Sequence, residues 1–183
     1  ATDAGLEILA EGGNAFDAMF ATEMALAVTF PFAGNLGGGG FMVYRLENGE
    51  TGALDYREKA PLLSSKTMYQ DKNGNIKPNL STVGAKAVGV PGTIAGIFEA
   101  HRTFGSMPKD SLLMPVIKLA EQGYVITKNQ KERLEYYAPI FDSVNGKTTL
   151  YSENLTDTVK NIALAKTLKR IATNGESEFY TGE

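Results

Sequence analysis

The sequence predicts an α+β fold, rich in helix and carrying one β-hairpin. Three observations lead there. Apolar residues recur at helical spacing in several separate segments, two short apolar runs flank an Asn-Gly turn signal, and everything after that hairpin reads mostly as helix. Composition agrees. The chain has 183 residues, 43% hydrophobic and 21% charged, which suits a globular domain with a proper core or a large piece of a bigger one. The expectation is a single domain over residues 1–183.

Taken in order, Thr2 to Glu11 reads as a short helix with Leu6, Ile8 and Leu9 apolar, ended by Gly12-Gly13. Asn14 is placed to cap a second helix, on which Phe16, Met19, Phe20, Met24, Ala27 and Val28 follow helical spacing. Its alanines (Ala15, Ala18, Ala21, Ala25) predict close packing against a neighbour. The stretch FPFAGNLGGGG is a loop. FMVYRL then reads as a strand whose near-continuous hydrophobicity fits burial on both faces. Asn48-Gly49 turns the chain into a second strand, ALDY, so Phe41 to Arg57 is a hairpin. Leu62 to Ser81 is a polar, turn-rich excursion, and AKAVGV is a short strand or extended run. Pro91 opens a helix with Ile94, Ile97 and Phe98 on one face. FGSMP breaks it, and another helix runs from about Asp110 to Gly123 with Leu112, Leu113, Val116 and Leu119 inward. A helix from about Lys128 to Tyr137, a polar linker through Thr156 and an amphipathic helix from about Thr158 to Thr173 complete the chain.

Several function classes are excluded at this level. The net charge of −3 is spread along the chain, with no basic stripe to bind nucleic acid. With no cysteine, disulfides, thiolate catalysis and thiolate metal sites are ruled out, while the compartment stays open. The longest apolar run, MALAVTFPF, is too short for a membrane span and contains Pro31. No signal peptide is visible. The chain opens inside a helical pattern and closes abruptly on EFYTGE, so the expectation is a fragment lacking its natural N-terminus.

The glycine run fails as a dinucleotide loop because its order is helix, glycines, strand rather than strand, glycines, helix. It reads instead as backbone that packs tightly, or takes positive φ, at a crowded strand entry. His101 falls on the face of Ile97 and Phe98 with no partner nearby in sequence, and reads as a packed or edge residue. One histidine and no carboxylate cluster at metal spacing leave no metal site. Thr148 and Thr149 sit inside a polar linker, whereas a threonine nucleophile must stand at a chain start with its own α-amino group as base. Arg57 and Glu58 remain. The alternation of the strand turns Leu54 and Tyr56 one way, Asp55 and Arg57 the other. A surface salt bridge at a strand end is one account of the pair. The other is that Arg57 leaves the sheet to grip a carboxylate through two parallel hydrogen bonds. Local sequence leaves both open.

GGNAFDA (Gly12 to Ala18), NLGGGGFMVY (Asn35 to Tyr44), LDYREKAP (Leu54 to Pro61) and AVGVPGTIAG (Ala87 to Gly96) occur in the order found in γ-glutamyltranspeptidases. FGSMP, LAEQGY and the closing IATNGESEFYTGE are similar to that family too, so the resemblance covers essentially the whole chain. It implies a portion of a layered αββα N-terminal-nucleophile hydrolase fold, from a precursor that cuts itself into a large and a small subunit. The threonine that starts the small subunit would attack the γ-glutamyl amide of glutathione or a related donor, passing the acyl group to water or an amino acid.

The chain resembles part of the large subunit only. The family's Thr-Thr-His start is absent, since Thr149 is followed by Leu150, and so are the oxyanion-hole residues placed after the cut. The resemblance therefore implies no catalytic residue in this chain and no activity for it alone. The small subunit of the same precursor is its implied partner; no cofactor is implied. By the same resemblance Arg57 holds the α-carboxylate of the γ-glutamyl group and Glu58 supports the same loop. Export to the periplasm or outside the cell is implied only by relatives. A cephalosporin or glutaryl acylase-type amidase, or a degenerate non-catalytic binding module, are the competing readings. Half of a layered fold would also expose an apolar face meant for the small subunit.

Overall fold

The computed structural model describes residues 1–152 and 157–182; residues 153–156 of the expected linker, and Glu183 at the end of the closing motif, lie outside the described residues. In chain order the elements are α1 (Thr2–Ala10), α2 (Ala15–Thr29), β1 (Phe41–Arg45), β2 (Thr51–Asp55), α3 (Thr93–Phe104), α4 (Lys109–Gln122), β3 (Tyr124–Val125), α5 (Lys128–Asn145), β4 (Thr158–Val159), α6 (Ile162–Asn174) and α7 (Glu176–Thr181), with a 3-10 turn at Ala85–Ala87. Contacts divide the chain into two units.

The first unit comprises Ala1–Glu58, Pro91–Val125 and Thr158–Glu183. Its core is built on α2, which is apolar nearly all round: Phe20, Ala21, Met24 and Ala25 are fully buried, as expected for a helix enclosed by other helices. Ile8 of α1, Ile94 and Ile97 of α3, Leu112, Leu113 and Val116 of α4, and Leu168 and Ile171 of α6 close around it. The expected small-residue packing of α2 is present, since a Cβ on Gly5 of α1 would overlap the Thr22 hydroxyl.

The N-terminus of α2 is held by charge as well as packing. Asn14 caps it, its Oδ1 accepting from Phe16 N–H at 2.8 Å and Asp17 N–H at 3.1 Å, while Asp17 Oδ2 accepts from Asn14 N–H at 2.9 Å. This is a capping box. Asp17 is fully buried. Its carboxylate also accepts from the Ser106 hydroxyl at 2.5 Å, Ser106 N–H at 3.0 Å and Met107 N–H at 3.3 Å. Burial alone would raise its pKa. The hydrogen bonds from Ser106, Asn14 and Met107 outweigh that and hold the carboxyl below its usual value of 3.8. The α3–α4 connection is thus pinned to the start of α2.

The hairpin is antiparallel, with Phe41 opposite Asp55 and Val43 opposite Ala53. Gly49, at φ +88°, turns it, and Asn48 Oδ1 accepts from Glu50 N–H at 3.0 Å. Only one face is covered. Tyr44 packs on Phe16 and Phe104 at ring separations of 6.0 and 4.7 Å, whereas Phe41 and Val43 are 64% and 84% exposed. The expected burial of this strand on both faces is corrected accordingly: helices back a single face, and the outer residues, though apolar, are largely exposed.

Two features of the first unit had no counterpart in the sequence reading. Tyr124–Val125 pairs antiparallel with Thr158–Val159, so the expected last helix starts at Ile162 instead of Thr158, and α7 follows it. Asn161 caps α6, accepting from Leu164 N–H at 2.9 Å. Gly123, at φ +92°, ends α4 where expected.

The second unit comprises Lys59–Val90 and Ile126–Asp157. Its first segment is the turn-rich excursion, knotted by Asp71, whose Oδ1 accepts from the N–H groups of Asn73 and Asn75 at 2.8 and 2.9 Å. Ala85–Ala87 forms a 3-10 turn, not a strand, and only Val90 pairs, with Lys59. The second segment holds α5, capped by Thr127 in a box with Gln130. This helix runs eight residues past the expected Tyr137 to Asn145, tolerating Pro139. A helix passes a proline at the loss of one backbone bond when neighbouring turns hold.

Replacing Asp17 by Asn removes the charge from a site built of donors. The expected outcome is a loss of about 2–4 kcal/mol in urea-unfolding stability. Because the folded-state pKa lies below the unfolded one, the stability this carboxylate contributes is complete above about pH 4 and is lost as pH falls through the depressed value. Acid titration of stability should therefore be flatter below pH 4 in Asp17→Asn than in the natural sequence.

Candidate functional site

The site begins where β2 stops. Tyr56 extends the hairpin by one pair, its N–H donating to Gly40 O at 3.0 Å and its carbonyl accepting from Gly40 N–H at 3.4 Å. Asp55 Oδ1 then accepts from Arg57 N–H at 3.0 Å, a short side-chain turn that lifts the chain out of the ladder. Arg57 and Glu58 both come out exposed. Neither takes part in an ion pair among the described residues. The surface salt bridge that sequence alone left open is therefore not formed, and the Arg57 guanidinium stands without a carboxylate.

The backbone under it is tightly seated. A Cβ on Gly39 would stand 2.7 Å from both Glu58 N and Tyr56 O, and one on Gly40 would stand 2.8 Å from the Tyr56 ring. The glycine run is thus a close-packing device. None of Gly37 to Gly40 has a positive φ, so the second option raised for it falls away. On the other side lies the start of α3. Cβ atoms on Gly92 and Gly96 would overlap the Tyr56 carbonyl and the Tyr56 side chain. Gly38 O accepts from Gly92 N–H and Thr93 N–H at 2.8 and 3.0 Å, which joins the glycine loop to the helix start.

No side chain of its own caps α3. Tyr180 of α7 does so from a distance: its hydroxyl accepts from Ala95 N–H at 3.2 Å and donates to Pro91 O at 2.9 Å. Burial raises the pKa of Tyr180, and that of Tyr56 as well, with the charge of Glu23 adding to the latter. Both phenols are neutral at physiological pH. Burial also raises the carboxyl of Glu23.

Elsewhere, Asp17, His101 and Ser106 gather the residue types of a nucleophilic triad, but the bonding order is wrong for one. Ser106 donates to Asp17, and His101 Nε2 donates to Met107 O at 2.7 Å, 3.8 Å from Asp17 Oδ1. His101 therefore packs as expected, on Phe20 at 5.2 Å, although a partner distant in sequence stands beside it. Thr149 lies in a turn, its N–H donating to Ser152 Oγ at 2.7 Å. A groove of about 540 Å³ between α1 and α4, lined by Glu7, Glu11, Asp110 and Lys118 among others, does not include Arg57. Among the described residues no three His, Asp or Glu side chains are grouped to hold a metal, and no helix is long and apolar enough to cross a membrane.

Sequence reasoning missed Tyr56, Gly92, Gly96 and Tyr180. A signal existed for the glycines: two of them four residues apart at a helix start leave one face bare for a close neighbour. For Tyr180 there was none.

A family model described as gamma-glutamyltranspeptidase matches residues 1–183. The glutathione hydrolase proenzyme of Pseudomonas aeruginosa is 47% identical over 180 residues, covering 96% of this chain and 32% of that protein. The glutathione hydrolase proenzyme of Escherichia coli is 42% identical over 188 residues, covering 100% and 32%. The chain thus spans about a third of the length of these curated relatives. The crystal structure of Helicobacter pylori gamma-glutamyltranspeptidase superposes with a TM-score of 0.93 at 44% identity, over 99% of this chain and 54% of that one. The helix-rich α+β fold is that of the corresponding part of this protein.

The α3 start offers a local test. Tyr180→Phe keeps the ring and removes the cap. The expected outcome is a loss of about 1 kcal/mol, measured by thermal unfolding.

Proposed function

The chain belongs to the gamma-glutamyltranspeptidase family, and on that premise we propose that it supplies the substrate-anchoring part of an enzyme that hydrolyses or transfers the γ-glutamyl group of glutathione and related amides. The observation that carries this reading is the exposed Arg57 guanidinium, without a carboxylate partner, on a backbone corner that packing holds firmly. Such a group takes a free carboxylate through two parallel hydrogen bonds, fixing its orientation as well as its charge. In this reading the carboxylate is the α-carboxylate of the γ-glutamyl donor.

The work of Arg57 is positioning. Anchoring the amino-acid end of the donor holds the scissile carbonyl about 3 Å from a nucleophile that this chain does not contain. Glu58, whose carboxylate lies beside Gly39, keeps the loop in place. The nucleophile is a threonine released at the start of a small subunit by self-cleavage of a common precursor; water or an amino acid accepts the acyl group. The open face of the hairpin, with Phe41 and Val43 exposed, supports a partner layer of that kind. This chain alone is inactive.

Two measurements on the parent protein, expressed from its full reading frame, test the proposal. N-terminal sequencing of a second band on a denaturing gel is expected to begin with threonine; a single uncut band with no γ-glutamyl-amide hydrolysis would leave a non-catalytic binding module as the reading. Arg57→Lys keeps the charge and loses the fork, so it is expected to lower kcat/KM nearly as much as Arg57→Ala, by about 2–4 kcal/mol. A near-normal Lys variant would sink the bidentate contact.

A further inference from the structure

Tyr56 precedes Arg57 and is enclosed by glycines. Its carbonyl lies against Gly39 and Gly92, its ring against Gly40 and Gly96. On the helix side the approach is close enough that a Cβ on Gly96 would overlap Tyr56 Cβ and Cγ and stand 2.5 Å from Cδ1. A Cβ on Gly92 would overlap the Tyr56 carbonyl oxygen and stand 2.8 Å from its carbon and 3.1 Å from Arg57 O. The end of β2 and the first turns of α3 therefore meet backbone to backbone, with nothing between them but the Tyr56 side chain.

We propose that Gly92 and Gly96 are positioning residues for Arg57, setting how far its guanidinium reaches by fixing the seat of Tyr56. The inference rests on the reading of Arg57 as the carboxylate anchor. Its physical basis is an asymmetry between the two partners. The helix is the better-held partner: Ile94 and Ile97 are buried in the core, and Gly38 O and Tyr180 hold its first amides. The strand end places no side chain in the core cluster and is held by the hairpin pair Tyr56–Gly40, the turn onto Asp55 and, two residues past Arg57, the backbone pair Lys59–Val90. A methyl group added at Gly96 consequently displaces Tyr56 and not the helix. Arg57, one peptide unit on, moves with it. A guanidinium fork tolerates little displacement before one of its two hydrogen bonds is lost, and an error of about 1 Å at an anchor is enough to lose much of the rate.

The test is a double-mutant cycle in the intact, self-processed parent enzyme, with a γ-glutamyl anilide as the probe. Gly96→Ala is expected to lower kcat/KM about tenfold or more, with KM carrying the larger share. In an Arg57→Ala background the same change is expected to cost almost nothing, because the anchor it misplaces is already gone. Full additivity, the same fold-loss with and without Arg57, would mean that Gly96 acts through general stability and would overturn the proposal. Should Gly96→Ala fail to fold, Tyr56→Ala takes its place: it removes the ring seated on Gly96 without inserting an atom, and the same non-additivity with Arg57→Ala is required of it. If Arg57→Ala alone leaves kcat/KM unchanged, the anchor reading falls and this inference with it. If Arg57→Ala is impaired and the cycle is additive, only the inference falls.

Discussion

A carboxylate can be fully buried and still ionised only where donors replace the water it has lost, and Asp17 meets that condition with Asn14 N–H, Ser106 N–H, the Ser106 hydroxyl and Met107 N–H. The rest of the first unit depends on this arrangement. It joins the start of α2, the central helix, to the turn between α3 and α4, two segments almost ninety residues apart in the chain. With that turn fixed, the buried faces of α3 and α4 are both directed at α2, and α3 presents its glycine-lined first turn to the end of the hairpin. Through α3, the seat of Tyr56 and Arg57 is thus joined to a buried charge.

Helices were legible wherever apolar spacing and a cap coincided. Asn14, the Gly12-Gly13 stop and the face of Ile94, Ile97 and Phe98 belong to this class, because local chemistry and tertiary packing ask for the same residues there. The errors fall where tertiary contacts override local signals. α5 continues through Pro139 to Asn145; Thr158-Val159, two β-branched residues placed in the expected last helix, finds a strand partner in Tyr124-Val125. The near-continuous hydrophobicity of β1 suggested two covered faces, although period-two alternation shows in its burial. Phe41 and Val43 are apolar yet exposed.

The site was legible in part, and in a revealing way. Arg57 and Glu58 stood out because a charged pair at a strand end, followed by a proline, is a local anomaly. Choosing between a salt bridge and an open guanidinium required knowing where the side chains sit, and sequence does not carry that. Gly92, Gly96 and Tyr56 went unnoticed for the opposite reason: their role lies in the absence of atoms between two backbones. Rigid positioning of a charged group at a surface normally calls for a supporting layer of side chains. Here helix and strand are brought into direct contact, and the group is held by what has been left out.

The clasp of Tyr180 on the start of α3 has a consequence for the order of folding. Ala95 and its cap are 85 residues apart, so at a synthesis rate of about 5–20 residues per second the helix start waits between roughly 4 and 17 s for its partner to be made. Until then the amide of Ala95 is served by water, and the first turn of α3 frays as short uncapped helix ends do. The hairpin's own contacts, by contrast, are local and of a kind that forms quickly. The Arg57 corner thus rests against a helix start whose own cap is a long-range contact, so its geometry belongs to the assembled unit and not to the strand alone.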